Sequence, residues 1–143
     1  MKVVDASVAV KWFLAEADSQ KALDLLESDD RLAAPSIIRV EVFGAISRRF
    51  REGQLPEEKA WAACEAWKSL IAGRHLLLIP TSQLLEQAVK LSFQCRHALP
   101  DCLYLAAARQ LDSELLTADR TLQQRAGKSK SAVVLFGSAG LNG

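Results

Sequence analysis

Cysteine is scarce and follows no pattern: Cys64, Cys95 and Cys102 are odd in number, widely spaced, and form no C-x-x-C pair. That excludes a disulfide framework and a cysteine zinc site, and it fits a reducing compartment. An excess of one charge is missing too. The 18 basic and 17 acidic side chains give a net charge of +1, so global electrostatics names no partner. No apolar run is long enough to cross a bilayer. The basic–apolar–small layout of a secretory leader is absent because Asp5 interrupts the first apolar run. Repeats, low-complexity tracts and a convincing linker are also lacking. A single domain over residues 1–143, cytoplasmic and without membrane association, is therefore expected, and 143 residues suffice for a real core. The tail SAGLNG reads as disordered or frayed.

What is present is an alternation of short β-type runs with longer helical patterns. KVVD at residues 2–5, RLAAP, HLLLIP, ELLTAD and AVVLFG read as strands. Helices are expected over residues 19–27, over IIRVEVFGAISRRF with Ser36 as N-cap, and over EEKAWAACEAWKSLIAG with Pro56 in the first turn. In that third helix Trp61, Cys64, Trp67, Lys68 and Ile71 share a helical spacing. TSQLLEQAVKLSFQC from Thr81, DCLYLAAARQL from Asp101 to Leu111, and RTLQQRAG complete the helical set. Strands separated by helices imply an α/β fold, a parallel-type central sheet with helices on both faces in an α/β/α sandwich. Such sheets bind ligands beyond the carboxyl ends of their strands.

Four carboxylates sit awkwardly in that plan. Asp5 ends the first strand and Asp119 leaves the fourth, with Ser7 two residues after one and Thr117 two residues before the other. Alone, each is an ordinary helix-cap or turn aspartate. Glu41 shares a helix face with Ile37, Ile38 and Ala45, so it points with the apolar stripe, where Arg39 or Arg48 could pair with it. Asp101 heads the stripe of Tyr104, Leu105, Ala108 and Leu111, at a helix N-terminus that would favour an acid anyway. If the four converge, each like-charge pair at about 4 Å costs roughly 4 kcal/mol at an effective dielectric near 20. A cation must offset that. Oxygen ligands alone call for a hard divalent ion, Mg²⁺ or Mn²⁺, whose natural chemistry is phosphodiester hydrolysis.

The segments VVDASVAVKW, PSIIRVEVFGAI, LPDCLYLAAARQL and LLTADRTL, in that order, resemble the PIN domain, specifically its VapC-type toxin ribonucleases. The resemblance covers nearly the whole chain. It implies a metal-binding quartet of Asp5, Glu41, Asp101 and Asp119, with Ser7 and Thr117 as supporting hydroxyls. It further implies Mg²⁺- or Mn²⁺-dependent cleavage of RNA, commonly transfer or ribosomal RNA, together with homodimers and neutralisation by a cognate antitoxin. One departure stands out: many relatives carry asparagine three residues after the glutamate, whereas this chain has Gly44. A binding module of the same fold that has lost turnover is the alternative that Gly44 favours. An aspartyl-phosphate enzyme is disfavoured, since the first strand is followed by Asp5-Ala6-Ser7 rather than D-x-D.

Other residues carry weaker expectations. Arg48, Arg49 and Arg51 around Phe50 form either a phosphate-contacting patch or, the reading preferred here, a solvated helix end. Lys11 could reach RNA or be an ordinary surface lysine, while Trp12 and Phe13 read as core or dimer contacts. His97 lies four residues before Asp101 but reads as a loop or packing residue, and His75 has no acidic companion. The Gly-Lys-Ser of RAGKSKS fails as a P-loop because Leu122 stands where the first glycine belongs.

Overall fold

The computed structural model describes residues 1–129 and 132–137; the expected frayed tail lies outside the described residues. Five strands form the sheet: β1 (Lys2–Val4), β2 (Leu32–Pro35), β3 (Leu76–Ile79), β4 (Glu114–Thr117) and β5 (Val133–Leu135). Their order is β3-β2-β1-β4-β5 and every pairing is parallel. Parallel strands covered on both faces become continuous apolar runs, and Val3, Val4, Ala33, Ala34 and Leu115 are fully inaccessible. The α/β parallel sheet expected from the alternation is the one observed.

Seven helices connect and cover the strands among the described residues: α1 (Ala6–Ala9), α2 (Ser19–Glu27), α3 (Ile38–Arg51), α4 (Glu57–Ala72), α5 (Leu85–Cys95), α6 (Leu99–Gln110) and α7 (Arg120–Ala126). Strand order steps outward from β1 through β2 to β3, then returns past β1 to β4 and β5. Right-handed crossovers therefore put α1 to α4 on one face and α5 to α7 on the other. The reversal makes the β1–β4 junction a topological switch point, where a crevice opens beyond the strand ends.

Helix α6 is the central beam. Cys102 to Ala108 are all buried, and the helix touches β1, β2, β4 and α5. Three consecutive alanines, Ala106 to Ala108, let it lie between the sheet and α5 without crowding. Its position fixes where Asp101, in its first turn, must sit.

Four local expectations are corrected. Ser36 does not cap α3, which starts at Ile38 after Ile37 and has no side-chain cap. Instead the Ser36 and Thr81 hydroxyls lie 3.0 Å apart, and Ile37 N–H donates to Thr81 Oγ1 at 3.2 Å. The end of β3 thus performs the capping that sequence proximity assigned to Ser36. Thr81 itself begins a single 3₁₀ turn, and α5 starts four residues later at Leu85. In α4 the buried residues are Ala60, Ala63, Trp67 and Leu70, while Trp61 is 62% exposed. Small residues face inward here because two alanines let α4 approach α3 closely, and the bulky Trp61 is left outside. Pro56 is the N-cap of α4 rather than part of its first turn. Trp67 remains a core residue, donating its indole N–H to the Arg39 carbonyl at 3.3 Å and packing edgewise on Phe13.

Candidate functional site

The helix N-termini of α1, α3, α6 and α7 carry the four acids at the carboxyl rim of the sheet. Asp5 is the N-cap of α1 and Asp119 of α7, while Glu41 and Asp101 occupy the first turns of α3 and α6. Helices that follow parallel strands begin at this rim, and α6 begins there because it runs antiparallel into β4. The unsatisfied N–H groups of helix starts favour anions, which offsets part of the repulsion among gathered carboxylates.

Asp5 is buried, with 5% of its surface exposed. Its Oδ1 accepts the Ser7 hydroxyl and the Val8 N–H, the latter at 3.3 Å, and its Oδ2 accepts the Thr117 hydroxyl. Ser7 Oγ in turn accepts Ala118 N–H at 2.9 Å, and Thr117 Oγ1 accepts Asp119 N–H at 3.0 Å. The two hydroxyls therefore bolt the end of β1 to the end of β4. Burial nevertheless pushes the Asp5 carboxyl up to about 6, against the lowering effect of the Ser7, Thr117 and Val8 hydrogen bonds and with a smaller contribution from the Asp101 charge. Helix capping is part of the geometry, as the bland reading holds, but a cap does not require this degree of burial.

Glu41 pairs with neither Arg39 nor Arg48. Its Oε1 accepts the Tyr104 hydroxyl across 63 residues of sequence, and Arg48 pairs with Glu52 at 2.9 Å. Burial raises the Glu41 carboxyl above its usual range; the Tyr104 hydrogen bond lowers it and the Asp101 charge raises it further. In the sequence, Tyr104 shows only as a member of an apolar stripe. Its own hydroxyl is pushed up, first by burial and then by the Glu41, Asp5 and Asp101 charges, so it stays a donor. Tyr104→Phe keeps the packing and removes that donor. If the RNA cleavage implied by the resemblance depends on Glu41, a fall of roughly tenfold in its rate with a stability change within about 1 kcal/mol is the expected result, read from RNA cleavage and thermal melts of both proteins.

Asp101 is the hub, since both Asp5 and Glu41 feel its charge. Ala98, not Asp101, is the N-cap of α6, so capping does not account for this acid. One nitrogen of His97 and one carboxylate oxygen each from Asp101 and Asp119 lie within 4.8 Å of one another. His97 Nε2 is 2.6 Å from Asp101 Oδ2. Asp119 Oδ1 also accepts the Leu122 N–H at 3.2 Å. His97 thus ties the loop and also adjoins the acids of the site. The i, i+4 spacing to Asp101 was its one trace in the sequence.

The donor set suits a divalent cation. Three of the roughly four lone-pair directions of Asp5 are taken, leaving one, and the remaining acids add further oxygens with no thiolate in the group. The three cysteines are free thiols, and burial, then the Cys95 and Asp101 charges, pushes Cys102 up to about 11. Lys11 is corrected: it is 9% exposed, bonded to Glu16 at 3.2 Å and to the Ala17 carbonyl at 2.8 Å, and does not project to solvent. Arg49 forms a part-buried ion pair with Glu16 and Arg48 an exposed one with Glu52, so two of the three clustered arginines are already engaged by acids. Trp12 is a core residue bonded to the Ala22 carbonyl at 2.8 Å. A Cβ added at Gly44 would meet nothing within 4 Å, so packing does not require glycine beside Glu41. His75 lines a groove with Arg31, Arg74 and Leu76, at the amino end of the strands and away from the acids.

Comparison with known proteins bears on family and fold. The PIN domain family model matches residues 2–128. Ribonuclease VapC1 of Mycobacterium tuberculosis is 33% identical over 127 residues, covering 87% of this chain and 90% of that protein. Among solved structures, the sarcin-ricin loop cleaving toxin VapC20 of M. tuberculosis superposes with a TM-score of 0.67 at 17% identity, over 87% of this chain and 94% of that one. FitAcB from Neisseria gonorrhoeae gives 0.64 at 19% identity, over 93% and 96% of the two chains. With a family match over most of its length and a relative of that identity, the chain belongs to the PIN domain family.

Proposed function

We propose that this chain is a divalent-metal-dependent endoribonuclease and the toxin of a type II toxin–antitoxin pair, acting in the cytoplasm. The observation that carries the reading is the gathering of four acids at helix starts around Asp101, with Asp5 so buried that burial outweighs three hydrogen bonds in opposing its ionisation. A carboxylate buried in this way carries a desolvation cost that a bound cation would offset. Asp5, Glu41, Asp101 and Asp119 would hold Mg²⁺ or Mn²⁺, with Ser7 and Thr117 fixing Asp5 and Tyr104 fixing Glu41. A cation held there would activate water and stabilise the charge that builds on a phosphodiester.

The likeness to a ribonuclease over 87% of the chain supports RNA as substrate, with transfer or ribosomal RNA as the class to test first. An antitoxin partner finds support in the apolar groove between α3 and α4, lined by Phe43, Ile46, Phe50, Trp61 and Cys64, which leaves Trp61 62% exposed. A homodimer finds support in a second apolar face on α5, where Leu85, Val89 and Phe93 recur at four-residue spacing with Phe93 78% exposed.

The test is incubation of purified protein with total RNA in Mg²⁺, Mn²⁺ or excess EDTA. Discrete fragments with either ion and none in EDTA are expected. Intact RNA under all three conditions would overturn the nuclease reading, and full cleavage in EDTA would overturn the metal requirement.

A further inference from the structure

The loop between α5 and α6 is built around His97. Arg96 closes α5 in a left-handed conformation, φ 52°. His97 N–H then bonds the Ser92 carbonyl at 3.3 Å, and the Ser92 hydroxyl returns to the His97 carbonyl at 2.6 Å. The side chain of His97 is 7% exposed, so its ring cannot swing freely between partners. One ring nitrogen, Nε2, sits 2.6 Å from Asp101 Oδ2, and the other, Nδ1, sits 3.3 Å from Arg125 Nη1. Arg125 Nη1 also donates to the Arg96 carbonyl at 3.1 Å, which anchors the guanidinium beside the ring.

These contacts decide which role an imidazole can play beside the acids. A guanidinium is donor-only, so its approach to Nδ1 requires a lone pair there. The ring proton is then on Nε2, where it donates to Asp101. A histidine that ligates a metal through Nε2 needs the opposite arrangement, with Nε2 bare and a proton on Nδ1 that would face the guanidinium donor. Proximity alone makes His97, Asp101 and Asp119 look like three ligands. The tautomer fixed by Arg125 makes His97 a donor instead.

We infer that Arg125 and His97 form a positioning chain that holds Asp101 by one oxygen and leaves the rest of its carboxylate for the cation. The inference rests on the metal-site reading above. It assigns His97 a positioning role outside the ligand set, and it keeps the donor set all-oxygen, which suits Mg²⁺ and Mn²⁺ over ions that seek nitrogen. Loss of an outer hydrogen bond of this kind typically weakens metal binding by about 10- to 100-fold.

The test has three readouts, of which the first needs neither ion nor substitution. Nitrogen-15 spectra of the histidine rings in metal-free protein should show His97 protonated on Nε2 and bare on Nδ1; His97→Gln, which deletes its signals, separates them from those of His75. Second, Mn²⁺ bound to the wild type should show no coupling to a directly ligated nitrogen by pulsed electron paramagnetic resonance. Third, His97→Ala should weaken Mn²⁺ binding about tenfold or more, and His97→Gln, which restores an N–H donor, should recover most of it. Arg125→Met, which leaves His97 and the acids in place, should let both tautomers appear. A proton on Nδ1 in the wild type, nitrogen coupling to bound Mn²⁺, or unchanged affinity in His97→Ala would each overturn the inference. If the wild type binds no Mn²⁺ while Nε2 carries the proton, the metal-site reading fails and takes the positioning role with it; the ring spectra keep that failure distinct from a wrong tautomer.

Discussion

Replacing Asp5 by asparagine is expected to abolish RNA cleavage, by at least about 10³-fold, while leaving the metal-free protein as stable as the wild type or more so at pH 7.5. The catalytic half follows from electrostatics that act only when a cation is bound: the amide carries no charge, so the ion loses its most buried anionic ligand. The stability half follows from burial. A carboxyl pushed from 3.8 up to about 6 corresponds to about 3 kcal/mol that the ionised folded state forgoes near neutral pH. Asparagine removes that term. It also presents N–H groups where Ser7 and Thr117 now donate, so one hydroxyl proton loses its acceptor at a cost of about 1–3 kcal/mol. The balance lies between neutral and a gain of about 2 kcal/mol, a melting point up to about 5 °C higher. The gain must shrink as pH falls from about 6 to about 4, since the folded carboxyl already holds its proton there and the unfolded one takes up its own as pH approaches 3.8, so the difference between the two states closes. Thermal melts at pH 4 and pH 7.5, beside cleavage assays on the same preparations, check both halves. A variant that unfolds at pH 7.5, or that keeps a tenth of wild-type cleavage, would sink the account.

Much of this arrangement was legible before any coordinates because it is local. Strands were readable from short apolar runs, two of them ended by Pro35 and Pro80, and the rim position of Asp5 from a carboxylate interrupting another such run. Glu41 stood out because its helical neighbours are apolar. The partners of these acids were not legible. Tyr104 meets Glu41 across 63 residues and Thr117 meets Asp5 across 112, and no local pattern encodes a pairing made by the sheet crossing back on itself. Arginine seemed a natural partner for an inward glutamate, yet a tyrosine hydroxyl satisfies Glu41 without neutralising its charge, which leaves that charge available to a cation. The role of His97 is hidden from the sequence for a related reason. Spacing shows that it can reach Asp101, but only Arg125, from a different helix, decides what the ring does there. The rotated face of α4 has a third cause: the inward choice between Trp61 and Ala60 depends on how closely α3 approaches, which sequence periodicity does not contain.

Chelation should have the other large effect, and its pH dependence has a definite sign. With excess EDTA, cleavage should fall by at least about 10³-fold at every pH and return when Mg²⁺ or Mn²⁺ is restored. The ion and a proton compete for the same oxygens. Asp5 titrates at about 6 when folded and at 3.8 as a free side chain, so between these values the folded metal-free chain holds a proton that the unfolded chain has released. Stability of the metal-free protein therefore falls as pH rises through that window, and Glu41, also raised by burial, acts in the same direction. Added Mg²⁺ must work the other way. At pH 5 only about one tenth of Asp5 is ionised, so affinity should be about tenfold weaker than at pH 7.5, and the stabilisation that the ion confers smaller by about 1 kcal/mol. Melting points with and without Mg²⁺ at pH 5 and pH 7.5 should thus diverge at the higher pH, and the cleavage rate at subsaturating Mg²⁺ should climb about tenfold per unit on the acid side of 6. An equal thermal shift at both pH values would mean that the ion does not displace the Asp5 proton, and that the buried carboxylate lies outside the cation's reach.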